Sequence, residues 1–336
     1  MEKQFVKTAF SLIELSVVSI IISILIAGVV SGRKMSENAR LSSAQSITKN
    51  SSIGTIPDLA LWLETSLDGS VTTSQTFSDG FAISSWNDIS GNKNHIIQAV
   101  LANQPSYLKS GINGLPSIKF DGVNDILVND IANSKKAPIT IGNSKYSVLI
   151  VWRLNSIANN STLLHQSDTS YSKGRVFGAW VKDNVFYVSG GSNYKSPTLS
   201  ALSIGGKYSF LLSVNNTEAN NISLYSNLAT KSVASVGSCD GDGNCNQSNP
   251  ANLNSDDDPN DLDGSGDFLD TTSFNSLGNN VFAVGGKMKD DTASKFIDAS
   301  VSEVMVFNRN LTPTEILLIK DYLSKKYNLI INTTII

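Results

Sequence analysis

Cysteine, histidine and charge are all scarce in this chain of 336 residues. It has two cysteines and two histidines, its charged residues make up 16%, and its formal net charge is -3. A chain without a basic excess gives no electrostatic reason to expect nucleic acid as a partner. His95 and His165 lie far from each other and from the cysteines in sequence, so neither a Ser-His-Asp triad nor a zinc site is expected. The low charge is typical of an exported protein.

The two cysteines, Cys239 and Cys245, lie close together in a polar stretch. Outside the cytoplasm, thiols at this spacing predict a small disulfide loop. Two free thiols are the alternative.

The longest apolar run lies near the N-terminus. Residues 1–9 are polar, and no charge interrupts the sequence from Leu15 to Gly32. Eighteen helical residues span roughly 27 Å, close to the thickness of a bilayer core. Glu14, just before this run, would cost about 2–4 kcal/mol in lipid and therefore needs a partner. We predict a helix over residues 10–50 that crosses a membrane with residues 10–32.

The stretch KTAFSLIEL resembles the leader junction of type IV prepilins. The resemblance implies that prepilin peptidase removes residues 1–9 by cutting between Ala9 and Phe10, and that the new Phe10 amine is methylated. It also implies that Glu14 meets the Phe10 amine of a neighbouring pilin subunit, so that two groups costly in lipid neutralise each other. Ala9 departs from the family, which most often has glycine there.

Two other interpretations of this segment remain. One is a secretory signal cut near Ile26-Ala27-Gly28, and the other is a plain transmembrane anchor. Neither accounts for a polar leader, a Phe at the boundary and a Glu four residues later. The prepilin interpretation places the protein in a bacterial inner membrane with its head in the periplasm, and then in an extracellular pilus or at the cell surface.

Beyond a linker at residues 51–57, the pattern changes to short apolar runs separated by Gly, Asn, Asp and Ser. Runs of this length, rich in Val, Ile, Phe and Tyr, are typical of strands. Because no helices intervene, residues 58–330 are predicted to form a two-sheet antiparallel sandwich, which makes the fold mainly β.

One further helix is predicted at the C-terminal end of this domain. Thr312 and Glu315 form a capping box, with Pro313 at the first helical position. The helix is expected to pack on the sandwich through one apolar face formed by Ile316, Leu317, Ile319 and Leu323.

Four segments resemble laminin-G-like, concanavalin A-like jelly-roll domains of bacterial surface proteins: LALWLE (59–64), SSWNDISGNKNHIIQA (84–99), QPSYLKSGINGLPSIKFDGVNDIL (104–127) and VSEVMVFNRNLTPTEILLIKDYLSKKY (301–327). The resemblance implies a β-sandwich that binds glycans or proteins, sometimes through calcium, or that serves as a spacer. Glucanases on this fold carry closely spaced carboxylates on one strand. Glu303 stands alone in its run, so we predict that the chain is not an enzyme.

An acidic stretch at residues 238–270 is the most distinctive part of the large domain. Calcium takes six to eight oxygen ligands, which alternating Asp and Asn on a tight loop can supply. The candidate ligands are Asp240, Asp242, Asn244, Asp261, Asp263, Ser265 and Asp267. Because Thr272 stands where an EF-hand has its bidentate glutamate, we predict an irregular calcium loop. A solvated acidic insertion is the alternative.

Aromatic side chains are candidates for a sugar-binding platform. The set comprises Trp62, Trp86, Trp152, Trp180, Tyr171, Tyr187 and Tyr194. Trp62 and Trp152 lie in apolar strands and are expected in the core, whereas Trp180 and Tyr194 lie near loops, where exposure is possible. For the set as a whole, the core is the favoured location. His95 and His165 are predicted to be ordinary surface residues.

These features together predict a type IV pilin-like filament subunit, a pilin or minor pilin, with a lectin-like head for adhesion. Its partners would be other pilin subunits, prepilin peptidase, the inner membrane, and a glycan or surface-protein ligand. Two alternatives remain. One is a pseudopilin of a type II secretion system, and the other is a membrane-anchored lectin-like protein that does not polymerise.

Overall fold

The computed structural model describes residues 11–73, 79–129, 137–139, 145–157, 160–168, 175–182, 185–190, 195–199, 202–214, 222–227, 230–235, 280–289 and 292–335. Its helices are α1 (Leu12–Lys49) and α2 (Pro313–Tyr327). Two short 3-10 turns are also present, Ser52–Thr55 directly after α1 and Leu101–Asn103 further along, between two strands. The rest of the regular structure in these described residues is β.

The described strands are numbered in chain order. They are β1 (Leu59–Glu64), β2 (Val71–Thr73), β3 (Ile83–Trp86), β4 (Ile96–Ile97), β5 (Ser106–Ile112), β6 (Leu115–Asp121), β7 (Leu127–Asn129), β8 (Tyr146–Leu154), β9 (Ser161–Asp168), β10 (Arg175–Lys182), β11 (Val185–Gly190), β12 (Lys195–Leu199), β13 (Lys207–Val214), β14 (Ile222–Ser226), β15 (Thr230–Ser235), β16 (Asn280–Val284), β17 (Lys287–Lys289), β18 (Thr292–Ser294), β19 (Asp298–Phe307) and β20 (Asn332–Ile335).

Two large sheets form a sandwich. The first has the order β20-β14-β13-β8-β19-β6-β5, with β1 also paired to β19, and the second has the order β11-β10-β9-β16-β7-β4-β3-β2. Two-stranded ribbons join β12 to β15 and β17 to β18. The strand pairs in the described residues are antiparallel. The predicted fold class, a long N-terminal helix followed by an antiparallel sandwich and a C-terminal helix, is confirmed.

The first sheet is buried on both faces. Successive side chains of a strand point to opposite faces, and β8 shows this directly. Val148 and Ile150 belong to the cluster between the two sheets, whereas Leu149 and Val151 belong to a second cluster on the outer face. Strands with two buried faces are continuously apolar rather than alternating, which accounts for runs such as YSVLIVWRL.

Helix α2 covers the outer face of this sheet, as predicted, and its capping box of Thr312 and Glu315 is present. Ile316, Ile319 and Leu323 are buried in the outer cluster. The prediction for Leu317 is wrong, because that side chain is 64% exposed. A residue one position after Ile316 is turned by about 100° around the helix, away from the sheet.

Helix α1 has two unlike parts. Its C-terminal part packs on the sandwich and α2, which together form the head (described residues from Leu59 onward), and Ala44 and Thr48 are buried there. The turn that follows buries Ile53 and Ile56 in the same outer cluster. Its N-terminal part projects from the head, and its large apolar side chains are between 47% and 85% exposed. These side chains are Leu12, Ile13, Leu15, Val17, Val18, Ile20, Ile21, Ile22, Ile24, Leu25, Ile26, Val29 and Val30.

Candidate functional site

The projecting part of α1 begins at a capping box formed by Ser11 and Glu14. The Ser11 N–H donates to Glu14 Oε2 at 2.9 Å, and the Ile13 N–H donates to Ser11 Oγ at 3.3 Å. The first N–H groups of a helix have no partner inside it, so each of these bonds satisfies a free donor. Glu14 therefore has a partner within its own chain. Ala9 and Phe10 lie outside the described residues.

Three serines of the apolar segment are bonded to their own helix. The hydroxyl groups of Ser16, Ser19 and Ser23 donate at 2.8 Å to the carbonyl oxygens of Ile13, Leu15 and Ser19. An unsatisfied hydroxyl is costly in hydrocarbon, and these bonds remove that cost. The segment is long and apolar enough to cross a membrane by length and composition, which fits a membrane anchor or a signal sequence.

A network of charged side chains lies buried where the two helices meet the head. Glu64 of β1 and Glu303 of β19 are directly opposite each other in register. Lys326 of α2 places its Nζ 3.0 Å from an Oε2 atom of each, and all three side chains are fully buried. Like charges directly opposite on a sheet repel, so Lys326 is the group that makes this pair tolerable.

Neutral donors complete the coordination of both carboxylates. Glu303 accepts from Trp62 Nε1 at 2.7 Å, from the Tyr322 hydroxyl at 2.8 Å and from the Tyr327 hydroxyl at 2.7 Å. Glu64 accepts from Ser66 and Leu67 at the end of β1. With these bonds every carboxylate oxygen of the pair has a donor, as buried charge requires.

The environment fixes the protonation of this network. Burial raises the pKa of Glu64, but the charge of Lys326 and the hydrogen bonds from Ser66 and Leu67 outweigh it, so the pKa lies below its ordinary value. Burial, together with the Glu303 charge, raises the pKa of Tyr322 and of Tyr327 well above the ordinary value. Both phenols therefore stay protonated and act as donors.

The buried network also contacts α1, and its carboxylates are not accessible from solvent. The Thr48 Oγ1 atom lies 3.1 Å from the Tyr322 hydroxyl, which connects the projecting helix to the head. Paired carboxylates can serve glycoside hydrolysis, but Glu64 and Glu303 are 0% exposed. No sugar can reach them, and their role is structural. The chain's predicted lack of enzymatic activity stays a prediction.

An open cleft of about 610 Å³ lies beside this network. It is formed by α1, by the turn between β5 and β6, by single residues of β8 and β13, and by the C-terminal end of α2. Its basic residues are Arg40, Arg153, Lys207, Lys325 and Lys326, of which Lys326 has its side chain buried in the network. Among the described residues, no Asp or Glu side chain lines it.

The turn between β5 and β6 shapes one wall of the cleft. Asn113 and Gly114 have φ values of 52° and 77°, the conformation of a two-residue Asn-Gly hairpin turn. The positive φ of Gly114 favours glycine at this position, and the Arg40 guanidinium lies close to it, with Nη1 2.8 Å from where a Cβ atom would be. The Asn113 amide donates to the Tyr327 carbonyl and accepts from Lys207 Nζ.

The polar loop at residues 88–95 is held in place by hydrogen bonds, within the loop and to β1. The Asp88 carboxylate accepts from the N–H groups of Trp62, Ser90 and Asn94, each at 2.9 Å. The Asp88 N–H donates to His95 Nδ1 at 2.9 Å. These bonds join the loop to β1, and they occupy the oxygens that a ligand would need.

Side-chain to backbone hydrogen bonds also stabilise the Asp-Gly-Val-Asn-Asp turn after β6. Asp121 Oδ1 accepts from the Val123 N–H at 2.8 Å, and Asp125 Oδ2 accepts from the Asp121 N–H at 3.0 Å. Burial, and then the nearby Asp121 charge, raise the pKa of Asp125 to about 7.

The prediction for His165 is wrong, because this residue lies in β9 and is fully buried. His95 lies in a loop, as expected, where it is half-buried and accepts a backbone hydrogen bond. The core location favoured for the aromatic side chains is confirmed for Trp62, Trp86 and Trp152. Trp180 is 2% exposed, so the core location is confirmed for it too, and the alternative of an exposed position near a loop is wrong.

Other predicted positions lie outside the described residues. They are Tyr171, Tyr194, the disulfide pair Cys239 and Cys245, and the calcium ligands Asp240, Asp242, Asn244, Asp261, Asp263, Ser265 and Asp267. Nothing is described of the Tyr187 side chain. Within the described part of the chain, no group of three or more His, Cys, Asp or Glu side chains is placed to hold a metal ion. The disulfide and the calcium loop stay predictions.

No protein-family model matches this chain, and no curated protein matches it. Among solved structures it is similar to Trypanosoma rangeli sialidase in complex with sialic acid, with 17% identity and a TM-score of 0.45 over 80% of this chain and 33% of that one.

Two further solved structures are similar to it. The binding domain of Paraclostridial Mosquitocidal Protein 1 has 11% identity and a TM-score of 0.45 over 81% of this chain and 53% of that one. Domain 4 of the extracellular arabinanase of family GH43 from Geobacillus stearothermophilus, in complex with arabinotriose, has 11% identity and a TM-score of 0.40 over 71% of this chain and 98% of that one. No function of this chain follows from similarities at this level.

Proposed function

We propose that this chain is a type IV pilin-like subunit that is anchored and assembled through α1 and that exposes its sandwich as a binding head. One observation carries the proposal. A single helix, Leu12–Lys49, has an apolar N-terminal part that packs on nothing described and a C-terminal part built into the head. An anchor followed by a stalk needs this arrangement.

The exposed apolar side chains of α1 are expected to be buried against lipid or against another protein. More than a dozen exposed apolar side chains between Leu12 and Val30 would be a large unfavourable surface in water. Lipid covers such a helix when the subunit is single, and the helices of other copies can cover it in a filament. The hydroxyls of Ser16, Ser19 and Ser23 are bonded within the helix, so both environments suit this part of the segment.

The partner of the Glu14 carboxylate distinguishes a plain membrane anchor from a helix that assembles with other subunits. In the single chain its carboxylate accepts from the Ser11 N–H, which lowers the cost of placing it in lipid. A free amine on Phe10 of a neighbouring subunit would be a stronger partner because it carries a full positive charge. We propose that assembly exchanges the first partner for the second.

The decisive experiment combines the mature N-terminus with assembly of a Glu14→Gln variant. The wild-type chain should begin at a methylated Phe10 by mass spectrometry and should be recovered in sheared filaments. The variant should enter the membrane normally but fail to assemble, because glutamine accepts a hydrogen bond without neutralising an amine. Glu37→Gln, an exposed change on the same helix beyond the apolar part, is the matched control and should assemble.

Each other outcome counts against part of the proposal. A chain that keeps Met1 excludes prepilin processing. A processed wild-type chain that stays monomeric in the membrane supports an anchored lectin-like protein that does not polymerise. Filaments confined to the periplasm favour a pseudopilin. Normal assembly of Glu14→Gln would show that the carboxylate has no part in subunit contact.

A further inference from the structure

The cleft at the junction of α1 and the head has more basic residues than have carboxylate partners among the described residues. Lys326 is neutralised by Glu64 and Glu303. Lys325 pairs with Asp321 at 2.6 Å, one turn earlier on α2. The fold therefore accounts for two of the five basic residues at the cleft.

The other three cations are not paired with a carboxylate among the described residues. Arg153 donates to two neutral acceptors, Asn155 Oδ1 at 3.1 Å and the Gly111 carbonyl at 3.2 Å. Lys207 donates to the neutral amide oxygen of Asn113 at 2.5 Å. Arg40 is exposed and rests against Gly114.

We propose that this cleft binds an acidic saccharide, a sugar that carries a carboxylate, sulfate or phosphate. Arginine and lysine with free donors favour such a group, and the guanidinium fork matches it in geometry. The lining also includes Ser43, Ser110 and Asn328, which can bond to sugar hydroxyls. The volume of about 610 Å³ lies within the range of ligand sites in proteins, roughly 300–1,000 Å³.

The position of the cleft favours a saccharide over the headgroup of a phospholipid. This step rests on the proposed anchoring of α1. Arg40 lies eight residues beyond Gly32, which is about 12 Å of helix. The headgroup layer of one leaflet is roughly 5–8 Å thick, so the cleft lies beyond it.

Calorimetry on the full chain in a neutral detergent tests the proposal. A hyaluronan tetrasaccharide is the acidic probe, and fully N-acetylated chitotetraose is a neutral probe of the same length. Glycerophosphoglycerol, the headgroup of phosphatidylglycerol without its acyl chains, tests the lipid source. The acidic tetrasaccharide should bind at least about tenfold more tightly than either other probe, and its affinity should fall with added salt.

Two variants assign the binding to this cleft. Arg40→Gln and Lys207→Gln should each weaken the acidic tetrasaccharide about tenfold, the value of one strong charge-assisted contact. Arg33→Gln is the matched control, because Arg33 lies two helical turns earlier on about the same face of α1 and outside the cleft. It should bind like the wild type.

Several results would overturn the proposal. These are equal binding of the neutral and acidic tetrasaccharides, unchanged affinity in both cleft variants, tighter binding of glycerophosphoglycerol, and no binding of the acidic tetrasaccharide at all. Failure here is separate from failure of the assembly proposal. Glu14→Gln should bind the saccharide normally, and Arg40→Gln should still be processed and assembled.

Discussion

Removing the charge of Lys326 is the sharpest perturbation that the structure offers. In the wild type its Nζ lies 3.0 Å from both Glu64 and Glu303. Lys326→Met keeps a long unbranched side chain but leaves two fully buried carboxylates opposite each other. Breaking one buried pair costs about 3–5 kcal/mol. Because two partners lose their cation here, we expect the upper end, about 5 kcal/mol.

Thermal unfolding of the full chain in neutral detergent, followed by circular dichroism, measures this loss. In a domain of this size 5 kcal/mol corresponds to a melting temperature roughly 10–20 °C lower. The pH gives a second signature. The Lys326 charge lowers the pKa of Glu64, so this pKa rises in the variant, and a carboxyl whose pKa is raised by folding stabilises the fold less as the pH increases. The deficit relative to wild type should therefore be larger at pH 8 than at pH 5.

Lys325→Met is the control for this prediction. Its pair with Asp321 is exposed, so its loss should cost less than about 1 kcal/mol. Adding Glu303→Gln to Lys326→Met should restore part of the stability, since it removes one of the stranded charges. A Lys326→Met protein within about 1 kcal/mol of wild type at pH 7 would refute the reasoning.

Two more predictions concern a titrating group and the acidic stretch. Asp125 has a pKa raised to about 7 from 3.8, so its contribution to stability declines between pH 4 and pH 7. Asp125→Asn should remove this decline and melt higher than wild type at pH 8 but not at pH 4, and an equal difference at both pH values would contradict this. If residues 238–270 bind calcium, millimolar calcium should raise the melting temperature, EDTA should reverse the rise, and calorimetry should detect binding. Calorimetric heat absent at millimolar calcium would exclude the site.

Local signals in the sequence predicted the elements but only part of their packing. The capping box at Thr312 and Glu315 located the start of α2 correctly, because capping depends on neighbours within one turn. The buried face of α2 was partly wrong. It follows Ile316, Ile319, Leu323 and Lys326, and a lysine on a buried face is expected only when a partner is known.

The buried network was missed for a physical reason. Glu64, Glu303 and Lys326 are far apart in sequence, and only the pairing of β1 with β19 and the docking of α2 bring them together. One signal was available. Glu303 stands within the apolar run SVSEVMV, where a charge must either be exposed or be paired. The cleft gave no such signal, since its cations come from four separate elements.

The buried network fixes how the head sits on the helix. Apolar packing of Ala44 alone would permit small rotations, because such contacts have little directional preference. The Thr48 contact with Tyr322 joins α1 to a set of hydrogen bonds that is satisfied in one geometry. Such directional bonding restricts a joint more than apolar contact does. In the proposed filament, load entering through α1 would pass through this joint to the first sheet. Disturbing the network should therefore affect the orientation of the head as well as its stability.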